Sequence, residues 1–190
     1  MYKVSSDYKF ELEEKKSKFI GFIFNINSED EFKIKLLSIK EEYPKATHYV
    51  YAYKIDSIIR MSDDGEPSGT SASPIMNVLD KEKLNYTGIV IVRYFGGIKL
   101  GASGLVRAYS TVAKELIKNT KLDEIVFGKL INVNISYDKL DTFEYLVTKT
   151  NSKIIVEEFG EDVSCEIEVS NDNLNLFEKY NYKIKKDITM

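Results

Sequence analysis

Three carboxylates fall within four residues, Asp63, Asp64 and Glu66, in the stretch Ser62-Asp63-Asp64-Gly65-Glu66-Pro67-Ser68-Gly69-Thr70. Carboxylates this crowded repel one another unless they are solvated, paired or bound to a cation. Gly65 and Pro67 bend such a loop, so that the acids are expected to converge. Three readings stay open. The acids could hold Mg²⁺ through oxygen ligands. They could touch a ligand directly. They could also be structural, salt-bridging Arg60 and Arg93 or capping backbone amides. The alternating ligands and distal Glu of an EF-hand are missing.

A second segment, Arg93-Tyr94-Phe95-Gly96-Gly97-Ile98-Lys99-Leu100-Gly101-Ala102-Ser103-Gly104, reads as strand, glycine-rich loop and helix start. This order presents free backbone N–H groups at a positive helix end, which suits an anion. Lys99 and Arg107 add charge, and Tyr94 or Phe95 offers a face to a base. The alternative is that the glycines serve tight turns and close packing. Neither GxxxxGK[ST] nor a strand-linked GxGxxG is present.

His48 is the only histidine, so a multi-histidine metal site is excluded. A Ser-His-Asp site is conceivable on paper from Ser62, Ser68 or Ser71 with His48 and Asp63, without a nucleophile-elbow motif. The competing reading is a packed, hydrogen-bonded histidine. Neither a catalytic residue nor a metal ligand is assigned, and no cofactor is expected. The one cysteine, Cys165, excludes an internal disulfide and a Cys-based zinc cluster.

Seven of the ten glycines lie between 65 and 104, and all three arginines (Arg60, Arg93, Arg107) lie in or beside that stretch. Elsewhere the positive charge is lysine. A guanidinium grips a carboxylate or phosphate bidentately, which an ammonium cannot.

The flanking elements must position these groups. Residues 9–15 and 18–26 read as strands. Ser28 with Glu31 forms a capping box for a helix to about Tyr43, closed by Pro44. Residues 47–55 form a strand rich in aromatic and β-branched residues. A short helix is expected from Ser73 to Asp80 with Pro74 in its first turn. Residues 87–95 are a near-continuous apolar strand, central in a sheet. The helix after the glycine loop has Leu105, Ala108, Tyr109, Val112, Ala113, Leu116 and Ile117 on one face. Arg107, Lys114 and Lys118 form a basic stripe on the other.

Beyond this, 125–137 is a strand, and Asp138 caps a helix carrying Leu140, Phe143, Leu146 and Val147. A hairpin turns across Gly160, followed by a short helix and a last strand. The order β-α-β-β-α-β is that of a ferredoxin-like fold. Charge divides similarly. Residues 1–121 hold 19 basic and 16 acidic groups, and residues 122–190 hold 8 and 14. The expected division is therefore 1–122 and 123–190. At 190 residues, with 43% hydrophobic and 30% charged residues, the chain is an ordinary globular one. It has no run near the roughly 18 apolar residues needed to cross a bilayer and no signal-peptide core. A cytoplasmic protein with no membrane partner is expected.

His48, Ala52-Tyr53-Lys54-Ile55, the loop 62–70 and Val92-Arg93-Tyr94-Phe95-Gly96-Gly97-Ile98-Lys99-Leu100-Gly101-Ala102-Ser103-Gly104-Leu105-Val106-Arg107-Ala108-Tyr109-Ser110 strongly resemble the YigZ/IMPACT family. The match covers roughly residues 15–118. The resemblance implies an α+β N-terminal domain similar to domain 2 of ribosomal protein S5. It also implies a ferredoxin-like C-terminal domain similar to the last domain of elongation factor G. The family's motifs fall on His48, Asp63, Asp64, Gly65, Glu66, Gly69, Thr70, Pro74, Arg93, Tyr94, Gly96, Gly97, Gly101, Gly104 and Arg107. The chain departs from them at Ser71-Ala72, at Ala102-Ser103, and at Tyr49-Val50, where a polar pair is usual. Eukaryotic relatives act in translational control, and the bacterial forms look like nucleic-acid- or ribosome-associated proteins without a defined reaction.

The leading expectation is a regulator that binds RNA, the ribosome or a translation partner. Residues 85–121, with six basic groups and one acidic, support it. The alternative is a Mg²⁺-dependent hydrolase or transferase acting on a phosphorylated small molecule, its cation on the acidic loop and its phosphate on the glycine loop. A third option is a module that binds a partner peptide. Oligomeric state is not legible.

Overall fold

The computed structural model describes residues 1–189. The chain divides into two units, Met1–Glu124 and the part from Ile125 onward. Both mix helices with antiparallel sheet. The division lies two residues past the expected boundary because β7 (Leu122–Glu124) pairs back with β1 (Tyr2–Val4).

The first unit is built on β2 (Tyr8–Glu14), β3 (Ser17–Asn25), β4 (His48–Ile55), β5 (Ile58–Ser62) and β6 (Thr87–Tyr94). They form one antiparallel sheet in the order β2-β3-β6-β4-β5. The apolar run of β6 is explained by its central place, with both faces covered. Successive side chains point to opposite faces. Ile89 and Ile91 therefore join the core under α2 (Ala72–Lys81) and α3 (Ala102–Asn119), while Val90 and Val92 join the core under α1 (Glu29–Glu42). The seven residues expected on the buried face of α3 are the seven it buries. Gly21 admits that helix: a Cβ there would stand 2.4 Å from Val112 Cγ1.

α1 begins at Ser28, whose hydroxyl accepts the Glu31 N–H at 3.1 Å, and Glu31 reaches back to the Asn27 N–H at 2.8 Å. The returning bond thus lands one residue before the cap. Strand β5 falls between the expected strand and loop, in a segment whose alternation is too short to read. Two exposed apolar side chains, Ile59 and Met61, lie on this edge.

The second unit comprises β8 (Phe127–Ile135), α4 (Leu140–Lys149), β9 (Lys153–Phe159), β10 (Val163–Ser170), a 3₁₀ segment (Asn171–Tyr180) and β11 (Lys183–Thr189). The sheet order is β11-β8-β10-β9, all antiparallel, the arrangement of a split β-α-β unit. Its core gathers Ile131, Val133, Phe143, Val163, Ile167 and Phe177. One expectation is corrected. Asp138 does not cap α4, since it lies inside a 3₁₀ turn, Tyr137–Lys139, and the helix begins at Leu140 after Lys139. Cys165 is buried on β10, and burial pushes its thiol up to about 11.

Among the described residues no helix is long and apolar enough to cross a membrane.

Candidate functional site

Strand alternation decides which side chains meet. His48 on β4 and Arg93 on β6 are register partners and project to the α2–α3 face. The next residue, Tyr94, turns to the α1 face, where its hydroxyl donates to the Pro44 carbonyl at 3.1 Å. The sequence could not choose between Tyr94 and Phe95 as an aromatic neighbour of the loop. Alternation removes Tyr94 and leaves Phe95.

Glu66 is the hub of this face. Asp64 and Gly65 have φ of 45° and 85°, a left-handed turn that suits glycine, and Glu66 follows with its side chain 2% exposed. Its Oε1 accepts Arg93 Nη1–H at 2.6 Å and the Tyr109 hydroxyl at 2.7 Å. Arg93 Nη2–H donates to Ser17 Oγ at 3.3 Å, and its guanidinium lies 5.2 Å from the Phe19 ring centroid. A buried ion pair stands only when further hydrogen bonds and packing support both charges, and Tyr109, Ser17 and Phe19 supply them. Burial, reinforced by the Glu66 carboxylate, raises the Tyr109 phenol far above the ordinary tyrosine range.

The other two acids face elsewhere. Asp63 Oδ1 accepts the Ser71 hydroxyl at 2.5 Å and the Ala72 N–H at 2.8 Å, and Oδ2 accepts the Gly69 N–H at 3.1 Å. It therefore serves as the cap of α2, whose own N-cap, Ser71, makes no side-chain cap bond. Burial pushes its carboxyl up, but the bonds from Ser71, Ala72 and Gly69 outweigh this and hold it below the usual range. Asp64 Oδ2 accepts the Tyr49 N–H at 2.6 Å. Its carbonyl lies 2.7 Å from His48 Nδ1. A carbonyl only accepts, so Nδ1 carries the proton. His48 Nε2 is 3.8 Å from Glu66 Oε2.

The expected convergence of carboxylates thus gives way to a braced loop in which each acid satisfies a different element. Among the described residues no group of three or more His, Cys, Asp or Glu side chains could hold a metal ion. No hydrogen bond among them joins His48 to Ser62, Ser68 or Ser71. Ser62 Oγ accepts the Asp64 N–H and Ser71 is committed to Asp63. Arg60 is a further correction. It pairs with Glu29 at 3.1 Å rather than with the acidic loop. Thr70 closes its own turn, its hydroxyl donating to the Pro67 carbonyl at 2.6 Å.

The glycine loop serves both readings at different positions. Gly96 is a packing glycine: a Cβ there would lie 2.0 Å from the backbone of Lys16, and its N–H donates to Ser17 Oγ. Gly104 packs on Leu100, where a Cβ would stand 2.9 Å away. Gly97 and Gly101 have φ of 83° and 74° with open space in front of them. Gly101 is the N-cap of α3 and offers no capping side chain, and no acid occupies the first turn. Beside it lies a cleft of about 310 Å³ walled by Glu66, Arg93, Phe95, Lys99, Leu100 and Leu105. On the other side of Leu100, a cleft of about 280 Å³ is lined by Lys15, Ser103, Gly104, Arg107 and Thr111.

Arg107, Lys114 and Lys118 are exposed on α3. Lys118 stands 4.0 Å from Glu115, while Lys99, Arg107 and Lys114 form no ion pair among the described residues. Sequence reasoning missed Ser17 and the polar role of Tyr109. A tyrosine in the middle of a buried helix face carries a hydroxyl that needs a partner, and that was a usable signal. Ser17 carried none.

The Impact N-terminal domain family matches residues 15–117. An IMPACT family member of Bacillus subtilis (strain 168), YvyE, is 34% identical over 168 residues, covering 87% of this chain and 77% of that protein. An IMPACT family member of Haemophilus influenzae is 31% identical over 173 residues, covering 88% and 84%. A crystal structure described as a hypothetical protein aligns with a TM-score of 0.65 at 24% identity, covering 96% of this chain and 95% of that one. The latter is a likeness of fold.

Proposed function

This chain belongs to the IMPACT family, and from that premise we propose that it is a cytoplasmic, translation-associated regulatory protein. In this reading it binds RNA, the ribosome or a translation partner, without an established reaction. Its first unit is the part similar to domain 2 of ribosomal protein S5, and its second is similar to the last domain of elongation factor G.

The observation that carries the reading is the exposed stripe of α3. Arg107, Lys114 and Lys118 lie seven and four residues apart, which brings them onto one line of a helix with 3.6 residues per turn. Arg107 and Lys114 have no carboxylate partner among the described residues and are available to phosphate, while Lys118 also stands 4.0 Å from Glu115. Neutralising phosphates releases counterions, so binding should weaken steeply with salt, by a log–log slope of about −0.7 per contact on single strands. The braced acidic loop supports the same side. Asp63, Asp64 and Glu66 hold α2, β4 and β6 in place and are taken up in doing so.

The test is co-sedimentation with ribosomes and with total RNA from 50 to 500 mM salt. Wild type is run beside an Arg107→Ala/Lys114→Ala/Lys118→Ala variant. Salt-sensitive pelleting that the variant loses is the expected result. No pelleting at any salt would remove the nucleic-acid reading.

A further inference from the structure

We infer that the cleft between Phe95 and the start of α3 takes one nucleotide of single-stranded RNA, its phosphate at Lys99 and the helix end and its base against Phe95. This rests on the RNA-binding reading and deepens it by naming the form of RNA and the place where it is gripped.

Four independent features meet here. The first is the open end of α3. The first-turn N–H groups of an 18-residue helix lack intrahelical partners, and with glycine at the N-cap no side chain satisfies them. The space before Gly97 and Gly101 is empty to 4 Å, so a phosphate can approach the backbone closely. The second is Lys99, exposed and without an ion pair among the described residues. The third is Arg93. It forms part of the cleft wall and is 5% exposed, yet its Nε–H has no hydrogen-bond partner among the described residues. Buried donors are rarely left unsatisfied, and this one belongs to a residue that lines the cleft. The fourth is Phe95, which lines the cleft and is 46% exposed.

The chemistry of the walls selects the ligand. Phe95, Leu100 and Leu105 give an apolar lining, which a bare inorganic phosphate would not use. Arg93 lies 5.6 Å from the Phe95 centroid, steadying the ring while leaving it half open. The volume, about 310 Å³, is at the small end of ligand pockets and suits one nucleotide. A base can lie on an aromatic ring only when it is unstacked from a duplex. Glu66, on the same wall, repels phosphate, which places the phosphate at the Lys99 side. From there the strand meets Arg107 and Lys114 farther along α3.

The experiment is fluorescence anisotropy of the two-unit protein with a 3′-labelled adenosine pentanucleotide RNA and with a blunt 12-base-pair RNA duplex. Phe95→Ala is expected to weaken the pentanucleotide about tenfold, in the range of one lost base–aromatic stack. Phe95→Tyr should keep wild-type affinity, and the duplex should be indifferent to both. Lys99→Ala should make the log–log salt slope shallower by about 0.7. Amide NMR shifts at Gly101–Gly104 on adding the pentanucleotide would locate the phosphate. Circular dichroism confirms that each variant is folded.

Unchanged pentanucleotide binding by Phe95→Ala, or equal losses on duplex and single strand, would overturn the inference. If the wild type ignores the pentanucleotide yet pellets with ribosomes through the α3 stripe, the inference falls and the function reading stands. If it does neither, both fall.

Discussion

Arg93 Nη1 lies 2.6 Å from Glu66 Oε1, joining a central strand to a surface loop 27 residues earlier. Both side chains are almost wholly buried. Removing one partner leaves a desolvated charge, which costs more than the intact pair contributes. Arg93→Ala is expected to destabilise the first unit by about 3–5 kcal/mol. Glu66→Gln, which keeps an acceptor for Tyr109, should cost less. Urea unfolding followed on the first unit's transition measures both. An Arg93→Ala loss below about 1 kcal/mol would show that the pair is dispensable.

Asp63 makes the loop pH-sensitive. Its folded-state pKa lies below the ordinary value, with bonds from Ser71, Ala72 and Gly69 outweighing burial. The stabilisation is therefore fully present above its unfolded pKa, about 3.9. It is lost as pH falls through the lower folded value. Wild-type stability should exceed that of Asp63→Asn near neutral pH, and the difference should shrink as pH is lowered below about 4. A gap that is flat or widening in acid would contradict this. Asp63→Ala at neutral pH should cost about 1–2 kcal/mol, as for a lost helix cap.

Tyr109→Phe keeps the ring that packs edge-on against Phe19 and removes only the hydroxyl donated to Glu66. A loss of about 1–3 kcal/mol is expected from leaving a buried acceptor short. Burial and the neighbouring carboxylate keep Tyr109 un-ionised. The alkaline phenolate absorbance of the native variant should then match wild type until the fold gives way. A missing phenolate in the variant below that point would place Tyr109 in contact with solvent.

Gly96 and Gly97 separate two roles of glycine. A Cβ at Gly96 would lie 2.0 Å from the Lys16 carbonyl, a backbone atom of the neighbouring turn. Gly96→Ala should cost about 1–3 kcal/mol or more, since a hairpin must move. At Gly97 the space is open and only the φ of 83° resists. Gly97→Ala should cost about 1–2 kcal/mol. Thermal unfolding of the two variants side by side ranks them. The reverse order would contradict the close approach of loop and turn.

Much of the molecule was legible in the residues. The buried face of α3 follows from helical spacing alone, since apolar positions three and four apart can satisfy only one side. The central place of β6 follows from an apolar run that a one-faced strand does not need. Asp138 misled because Asp is a good cap anywhere a turn begins, and only the path of the chain decides that the turn here is 3₁₀. Strand β5 was lost because five residues between two turns carry too little pattern.

By itself, the sequence settled which residues must be inside, where the chain must turn, and that charge, glycine and arginine gather in one stretch. It settled these because burial and backbone freedom are properties of single residues and short periods. Only the tertiary structure decided how the acids are used. Asp63, Asp64 and Glu66 are neighbours along the chain, yet one caps α2, one bonds β4 and one turns inward to Arg93. The partner of a carboxylate is set by whichever donor the fold brings within about 3 Å, and adjacency along the chain does not encode that distance.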